Sequence, residues 1–289
     1  MSTNIQTAFS RQFMPGVRLL AQQKMSRLFR AVDVEMLSSA DRASFDQIGA
    51  TAMVALTTRH ADTPQVDTTH ARRWVMPNPF VWADFIDHPD KLRAVNGELM
   101  TSKYQQNAAM AAGRKIDDVI IAAFFADAIT GETGTGTAAF DTATYQVPAA
   151  ATGLTIAKLL STKEILDSAE NDPDDPRFFA CSAKQITNLL NTTEIKSSDY
   201  NTVKALAAGQ INSFCGFEFI RTQRLAASGA NRRCAAWSKN SMLMGMNENI
   251  VTRVSERPDK NYLNQVYARI DLGATRNDET GVVEILCAE

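Results

Sequence analysis

Apolar and polar residues alternate with two different periods along the chain, and these periods divide it into predicted helices and strands. Apolar positions near a 3.6-residue spacing predict an amphipathic helix that begins at Pro15 and continues through Val32. A longer pattern of the same kind predicts a helix capped by Asn96 that continues to about Ile129 and ends at Gly131. At 1.5 Å per residue this second helix would be roughly 50 Å long.

A period of two appears between these helices and predicts a long hairpin. Residues 45–56 and 66–76 alternate as strands, and residues 58–65 (TRHADTPQ) supply the turn. The hairpin is polar on most of both faces, and an isolated pair of strands is marginal in water. We therefore expect it to dock on a neighbouring molecule. Pro77 and Pro79 end it, since neither suits a central strand.

The remainder of the chain alternates between short helices and strands. An acidic turn is predicted over residues 84–90, and the Gly/Thr/Ala-rich residues 131–153 are interpreted as a flexible connection and a domain boundary. Helices are predicted over 154–169, 183–190 and 200–208, and strands over 177–182, 214–222, 233–237, 250–254, 262–272 and 282–287, with a break at 171–176 and a turn at 277–281. This order favours a compact α/β or α+β unit that is followed by closing strands.

Composition permits a substantial core and limits the electrostatic role of the surface. The 289 residues are 45% hydrophobic, and 30 Lys+Arg against 32 Asp+Glu give a net charge of −2. This balance argues against a protein whose whole surface binds nucleic acid. The charge is uneven, because no acidic residue precedes Asp33. The basic residues of this N-terminal arm are Arg11, Arg18, Lys24, Arg27 and Arg30. Such an arm either contacts a nucleic acid or an acidic protein surface, or is a solvated amphipathic helix.

Cysteine usage and the N-terminus indicate where the protein is made. Four single cysteines without a CxxC pair favour a reducing cytosol and provide no disulfide or metal framework. No apolar secretory signal follows the N-terminus, and the longest apolar run, Val119–Ala126, is too short to cross a membrane. We expect a soluble protein with no membrane partner.

Two groups of residues have side chains that could form binding sites. His60, Asp62, Asp67 and His70 could hold a divalent metal, but their spacing matches no metal motif and polar contacts to a neighbouring subunit are the favoured interpretation. The glycines of residues 131–136 are not followed by the Lys-Ser/Thr of a phosphate loop. No metal or cofactor site is predicted.

No arrangement of residues supports catalysis. A G-x-S-x-G motif is absent, and the three histidines lie in the hairpin or just after it. Asp117 and Asp118 are adjacent on the long helix, so their side chains diverge. They are expected to pair with Arg114 or Lys115 or to contact another subunit. We predict that the chain is not an enzyme.

Four stretches of sequence resemble the major capsid protein of tailed bacteriophages, in a phage capsid subfamily. They are FMPGVRLLAQQKMSRL (13–28), SFDQIG (44–49), RHADTPQVDTTHARR (59–73) and GRKIDDVIIAA (113–123). The resemblance implies an α+β coat fold of the type first seen in a Hong Kong coliphage. Its parts would be an N-terminal arm (1–35), an extended hairpin loop (36–82), a peripheral domain with the long spine helix (83–150), an axial domain (151–245) and the closing strands of the peripheral domain (246–289).

The resemblance also implies how the chain works. Subunits of this family form hexamers and pentamers of an icosahedral shell around double-stranded DNA, and the loop of one subunit lies over the spine region of its neighbour. The residues expected at these contacts are Arg59, Asp62, Asp67, His70, Arg72, Arg73, Arg114, Asp117 and Asp118. The basic arm would bind a neighbour, a scaffolding protein or the genome. We expect a separate scaffolding protein, a portal protein, assembly in the host cytoplasm and a final place in the virion capsid.

Two alternatives remain open from the sequence. A cellular nanocompartment shell shares the fold but encloses enzyme cargo. A soluble enzyme would have to use the cluster between His60 and His70.

Overall fold

The computed structural model describes residues 19–37, 41–56, 58–59, 62–87, 97–169, 171–191 and 213–289. Within these residues the helices are α1 (Gly97–Phe125), α2 (Ile156–Ser168) and α3 (Ala183–Leu190). The strands are β1 (Asp33–Met36), β2 (Ala43–Ile48), β3 (His70–Val75), β4 (Asn78–Ile86), β5 (Ala128–Thr130), β6 (Gly136–Ala138), β7 (Gln146–Val147), β8 (Arg177–Cys181), β9 (Ser213–Phe214), β10 (Phe217–Arg221), β11 (Ala227–Ser228), β12 (Asn231–Ser238), β13 (Met242–Arg257), β14 (Leu263–Arg276) and β15 (Val282–Ala288).

The strands form three sheets, and the predicted α+β class is confirmed. The largest sheet has the order β7-β15-β12-β8-β10-β9, with β11 on the side of β12. A second sheet has the order β1-β13-β14-β4, and a third has the order β2-β3-β5-β6. Pro79 lies in β4, which is an edge strand, in keeping with the expectation that it avoids a central position.

The hydrophobic core lies at the seven-stranded sheet. Every residue of β8 (RFFAC) is buried, because β8 lies between β10 and β12 and is covered on both faces. Phe179 of β8 and Trp237 of β12 are both fully buried. Trp237 packs against Phe124 of α1 with ring centroids 4.5 Å apart and donates its indole N–H to the carbonyl of Ala31 at 2.7 Å. The core thus fixes the end of α1 and the start of β1.

The chain separates into two compact units. The first consists of Met1–Met25, Phe80–Gly113 and Ile250–Ile270, and includes the first half of α1, most of β4 and the far part of the β13–β14 hairpin. The second consists of Ser26–Pro79, Arg114–Asn249 and Asp271–Glu289, and contains the seven-stranded sheet.

The predicted N-terminal helix is wrong over the described residues. From 19 to 28 the backbone is irregular, and only a short 3-10 turn forms at Phe29–Ala31. The backbone N–H groups of Arg27 and Leu28 donate to the carboxylate of Asp117 instead of to helical carbonyls. A side-chain acceptor from another element therefore replaces the i−4 bonds of a helix.

The long helix is confirmed, but it ends at Phe125 and not near Ile129. Beyond it, β5 pairs with Arg73 and Trp74 of β3. The last turn of α1 is closed by the Arg276 guanidinium, which donates to the carbonyls of Phe124 at 3.0 Å and Ala126 at 2.5 Å. Long-range partners thus set this boundary. The expected cap Asn96 and the predicted helix at 200–208 lie outside the described residues.

Two predicted irregular segments carry strands. Residues 131–153 were expected to form a flexible connection, but they contain two strands. β6 belongs to the third sheet, and β7 belongs to the largest sheet. The acidic turn expected from Asp84 is also wrong at its start, because β4 continues to Ile86. Alternation of Val81, Ala83 and Phe85 on one face of β4 fits this strand.

Candidate assembly surfaces

The predicted hairpin forms at its base and not along its length. β2 and β3 pair antiparallel from Ala43 opposite Val75 to Ile48 opposite His70, and the N–H of Gly49 donates to the carbonyl of Thr69 at 2.9 Å. Beyond that bond, the described residues between 50 and 69 form no strand. The base is also not isolated, because β5 and β6 extend it to four strands. A polar ribbon without a buried face has little to hold it in strand form.

Residues 49–69, here named the hairpin loop, carry exposed side chains of both apolar and charged character. Its exposed large apolar residues are Met53, Val54, Leu56 and Val66. The predicted contact residues Arg59, Asp62 and Asp67 are exposed as well, and none forms an ion pair within the described residues. Contiguous exposed apolar side chains of this kind are typical of a surface that another protein covers.

The base of the hairpin is attached to the turn between β14 and β15. Arg73, whose side chain is only 12% exposed, donates from Nη2 to Glu279 Oε1 at 2.8 Å and from Nε to the carbonyl of Asn277 at 3.3 Å. Gln47 donates from Nε2 to the same carbonyl and to Asn277 Oδ1. Both strands of the hairpin are thereby fixed to one turn.

Arg72 points to the opposite, open side of β3. Its guanidinium binds Asp46 with two hydrogen bonds, Nε to Oδ1 at 2.5 Å and Nη2 to Oδ2 at 3.3 Å. This bond raises the pKa of Arg72 and lowers the pKa of Asp46. The pair lines an open cleft of about 750 Å³ together with the exposed His70, and Arg73 and Glu279 line another wall of the same cleft. Arg72 and Arg73 thus have partners within their own chain.

The adjacent aspartates of α1 perform different tasks. Asp117 is fully buried and accepts from the Ser26 hydroxyl at 2.5 Å and from the backbone N–H groups of Arg27 and Leu28 at 3.0 and 3.1 Å. Asp118 is partly exposed and binds Arg224 through both carboxylate oxygens at 2.5 Å. Asp117 therefore fixes the chain as it leaves the arm, and Asp118 ties α1 to the segment after β10. Arg114, one turn before Asp118, is half-buried.

In the described part of the basic arm, some basic side chains bind the rest of the chain and others are exposed. Lys24 is exposed. Arg27 donates from Nη1 to the carbonyl of Arg221, and Arg30 forms an ion pair with Glu218. Arg11 and Arg18 lie outside the described residues.

None of the described helices is long and apolar enough to span a membrane. Within the described residues, no three His, Cys, Asp or Glu side chains converge as a metal site, and His60 lies outside them.

Residues 5–289 match the model of a family described as phage capsid protein. The chain belongs to this family. Comparison with curated protein sequences finds no match.

Solved structures show the same fold. The capsid of the cyanophage P-SCSP1u is 16% identical with a TM-score of 0.73, over 100% of this chain and 96% of that chain. The capsid of the cyanophage Pam1 is 14% identical with a TM-score of 0.73, over 99% and 98%. The capsid of Ralstonia phage GP4 is 10% identical with a TM-score of 0.73, over 96% and 95%. The resemblance drawn from the sequence is confirmed, and the chain is a major capsid protein, a structural protein of a phage.

Sequence reasoning missed a buried cation that organises this capsid protein. Arg276 is fully buried, and besides the two carbonyls at the end of α1 it donates from Nη2 to the carbonyl of Ala138 at 3.2 Å and lies over the Phe140 ring. Burial lowers the pKa of its guanidinium. A weak signal was present, because Arg276 is in phase with the buried residues Ile270 and Leu272, although half-buried Ala274 interrupts the alternation.

A second buried cation, Lys158, was also missed. Its ammonium donates to the carbonyls of Ala149 and Thr152 at 2.8 Å and of Leu286 at 2.9 Å. Burial lowers the pKa of this lysine. It fastens the segment before α2 to β15 in the capsid protein, and a single lysine in a helical pattern gives no sequence signal for that role.

Proposed function

We propose that this capsid protein assembles into the hexamers and pentamers of an icosahedral shell that encloses the double-stranded DNA of a tailed phage. The observation that carries the proposal is the hairpin loop, whose large apolar side chains are exposed. Met53 is fully exposed, and Val54 and Leu56 are more than half exposed. In the assembled shell the loop lies on the spine region of a neighbouring copy.

Burial of these side chains supplies free energy for association. Complete burial of one Val, Leu or Met side chain contributes about 1.5–3 kcal/mol. Ordering of the loop and the loss of translational freedom offset part of this gain. The charged residues Arg59, Asp62 and Asp67 then fix the register of the contact, since rim charges contribute more to specificity than to affinity.

The domain organisation that we propose follows the parts of the coat fold. Residues 1–35 are the arm, 36–82 the extended loop, 83–150 the peripheral domain with α1 as its spine, 151–245 the axial domain, and 246–289 the closing strands. Asp117 and Asp118 hold the arm and the segment after β10 on the spine. Arg114 and His70 are proposed as additional contacts to neighbouring subunits.

The partners that we propose are structural. A separate scaffolding protein directs shell size, a portal occupies one vertex, and the genome contacts the coat through weak, non-specific interactions. The subunit is not an enzyme, is assembled in the host cytoplasm and remains in the virion capsid. Closed shells of one correct size from this chain alone would contradict the separate scaffold.

Electron microscopy of the chain, expressed alone and with its neighbouring genes, tests assembly. Regular shells or capsomer rings are expected, with nuclease-protected DNA inside shells that form beside a packaging system. Protein cargo in place of DNA would identify a cellular nanocompartment instead. A dispersed monomer under both conditions would contradict the proposal and turn attention to an activity that depends on His70.

A loop variant tests which surface drives assembly. Met53→Ser, Val54→Ser and Leu56→Ser together remove exposed apolar area, so folding of the subunit should be unchanged while shells fail to form. Leu160→Ser is the matched control, because Leu160 is 54% exposed on α2, outside the loop. Equal assembly of both variants would show that the loop is not the contact.

A further inference from the structure

A polar groove of about 600 Å³ lies where the end of the arm meets β10 and the start of α3. Its lining residues are Ser26, Arg27, Arg30, Ala183, Phe219, Ile220, Arg221, Thr222 and Gln223. Phe219 and Ile220 are buried and Ala183 exposes only a methyl group, so the surface that an occupant would meet is formed mainly by three arginines and by polar groups.

The three arginines keep most of their donors available. Arg27 uses one N–H on the carbonyl of Arg221, and Arg30 uses one on Glu218 while its side chain stays 70% exposed. The guanidinium of Arg221 is exposed and has no hydrogen bond or ion pair within the described residues. Each guanidinium carries five N–H donors in a planar fork that suits phosphate oxygens.

Nearby carboxylates neutralise only part of the positive charge of this surface. Glu218 pairs with Arg30 and offsets its charge. Asp117 lies beneath Ser26, is fully buried and already accepts from a hydroxyl and two backbone N–H groups. Lys184, the residue after Ala183, is exposed and adds a further positive charge.

We infer that this groove binds the phosphate backbone of the encapsidated nucleic acid, with Arg27, Arg30 and Arg221 as the phosphate-contacting residues. An acidic protein segment is the less suitable occupant, because protein interfaces are built around apolar or aromatic anchors and the groove exposes none. Phosphate contacts require only well-placed cations and carry no base specificity. The inference rests on the proposed role as a DNA-enclosing coat and deepens it by naming the site of contact.

The test measures binding of a short fluorescein-labelled duplex of random sequence to the full-length chain by anisotropy, over a range of salt concentrations. The slope of log K against log salt is negative, and each lost phosphate contact reduces its magnitude by about 0.9. Arg221→Gln should reduce the magnitude of the slope by that amount, which makes the loss of affinity between 50 and 200 mM salt about threefold smaller. Arg30→Gln should weaken binding more, since it also releases the Glu218 carboxylate towards the groove.

Arg253→Gln is the matched control, because Arg253 is an exposed arginine on β13, outside the groove. Equal slopes for the Arg221 and Arg253 variants would overturn the inference. So would a poly-glutamate competitor that binds in an Arg221-dependent way while the duplex does not, which would identify an acidic protein as the occupant.

Shell formation by the same variants separates this inference from the proposed function. Arg221→Gln shells that close normally but bind the duplex with the reduced slope would support both. A wild-type chain that forms no shells yet shows the Arg221-dependent slope would contradict the assembly proposal and leave the phosphate site intact.

Discussion

The Arg73 guanidinium binds the Glu279 carboxylate at 2.8 Å, and through this contact the hairpin base is attached to the turn that precedes the last strand. Arg73 is almost covered, whereas its neighbour Arg72 binds Asp46 on the open side of β3. Adjacent residues of one strand thus form one sheltered and one exposed ion pair.

Arg73→Met should lower the free energy of unfolding by about 1–2 kcal/mol, because it leaves the Glu279 carboxylate and the Asn277 carbonyl without this donor. Arg72→Met is the control and should have a smaller effect, since exposed pairs contribute little. Urea unfolding of unassembled subunits measures both. Equal losses for the two variants would show that burial of the Arg73 pair is unimportant.

Asp117→Asn should destabilise the subunit by about 2 kcal/mol and loosen the arm. The three donors share Oδ1, and the Arg27 N–H is also 3.2 Å from Oδ2, so the amide NH₂ would face that donor and the remaining oxygen would be an uncharged, weaker acceptor. Trypsin cleavage after Lys24 and Arg27 should become faster than in the wild type. Asp118→Asn is the matched control, and arm cleavage as fast in that variant would contradict a specific role for Asp117.

Stability should depend on pH through Lys158, whose pKa burial lowers. The unfolded chain keeps the ordinary lysine pKa near 10.4, so between the two values it binds more protons than the folded chain. The free energy of unfolding therefore rises with pH in that window.

Lys158→Met lacks this linkage. The difference in unfolding free energy between wild type and variant should shift in favour of the wild type as the pH rises towards about 10. Lys163→Met, on the exposed side of α2, is the control. A difference that stays constant over this range would exclude the linkage.

Cysteine reactivity should follow burial. Cys181, Cys234 and Cys287 are fully buried, and burial raises the pKa of the Cys181 thiol to about 12. Iodoacetamide at about pH 8 should therefore label only Cys215 in the folded protein, because the other three thiols are enclosed and the reagent cannot reach them. Mass spectrometry identifies the labelled peptides, and labelling of Cys181 at the rate of Cys215 would contradict the packing of β8.

Local signals in the sequence predicted the elements that local interactions determine. The helix at 183–190 has the predicted bounds, because strong amphipathic spacing coincides with the Ser182 cap, which accepts from the Gln185 N–H. The last strand, β15, likewise follows an apolar run. The strand at 233–237 lies within β12, and only its ends differ.

Elements determined by distant partners could not be predicted in this way. The apolar spacing of the arm predicted a helix. Nothing in that sequence indicates that the Asp117 carboxylate accepts the backbone N–H groups of the arm. β5 and β6 have three residues each, too few for a period, and they form because Arg73 and Trp74 offer an edge. Of the predicted contact residues, Arg73 and Asp117 proved to be intrachain anchors, which only the folded geometry reveals.

The attachment of the hairpin base also determines how the subunit responds to mechanical load. A pull on the loop enters β2 and β3 together, and the antiparallel ladder with β5 and β6 resists it in shear. The Arg73–Glu279 pair transfers the remaining tension to the turn before β15. This strand is hydrogen-bonded to β12 along its whole length. In the closed shell that we propose, outward pressure would thus be distributed over the seven-stranded sheet as well as the root of the loop.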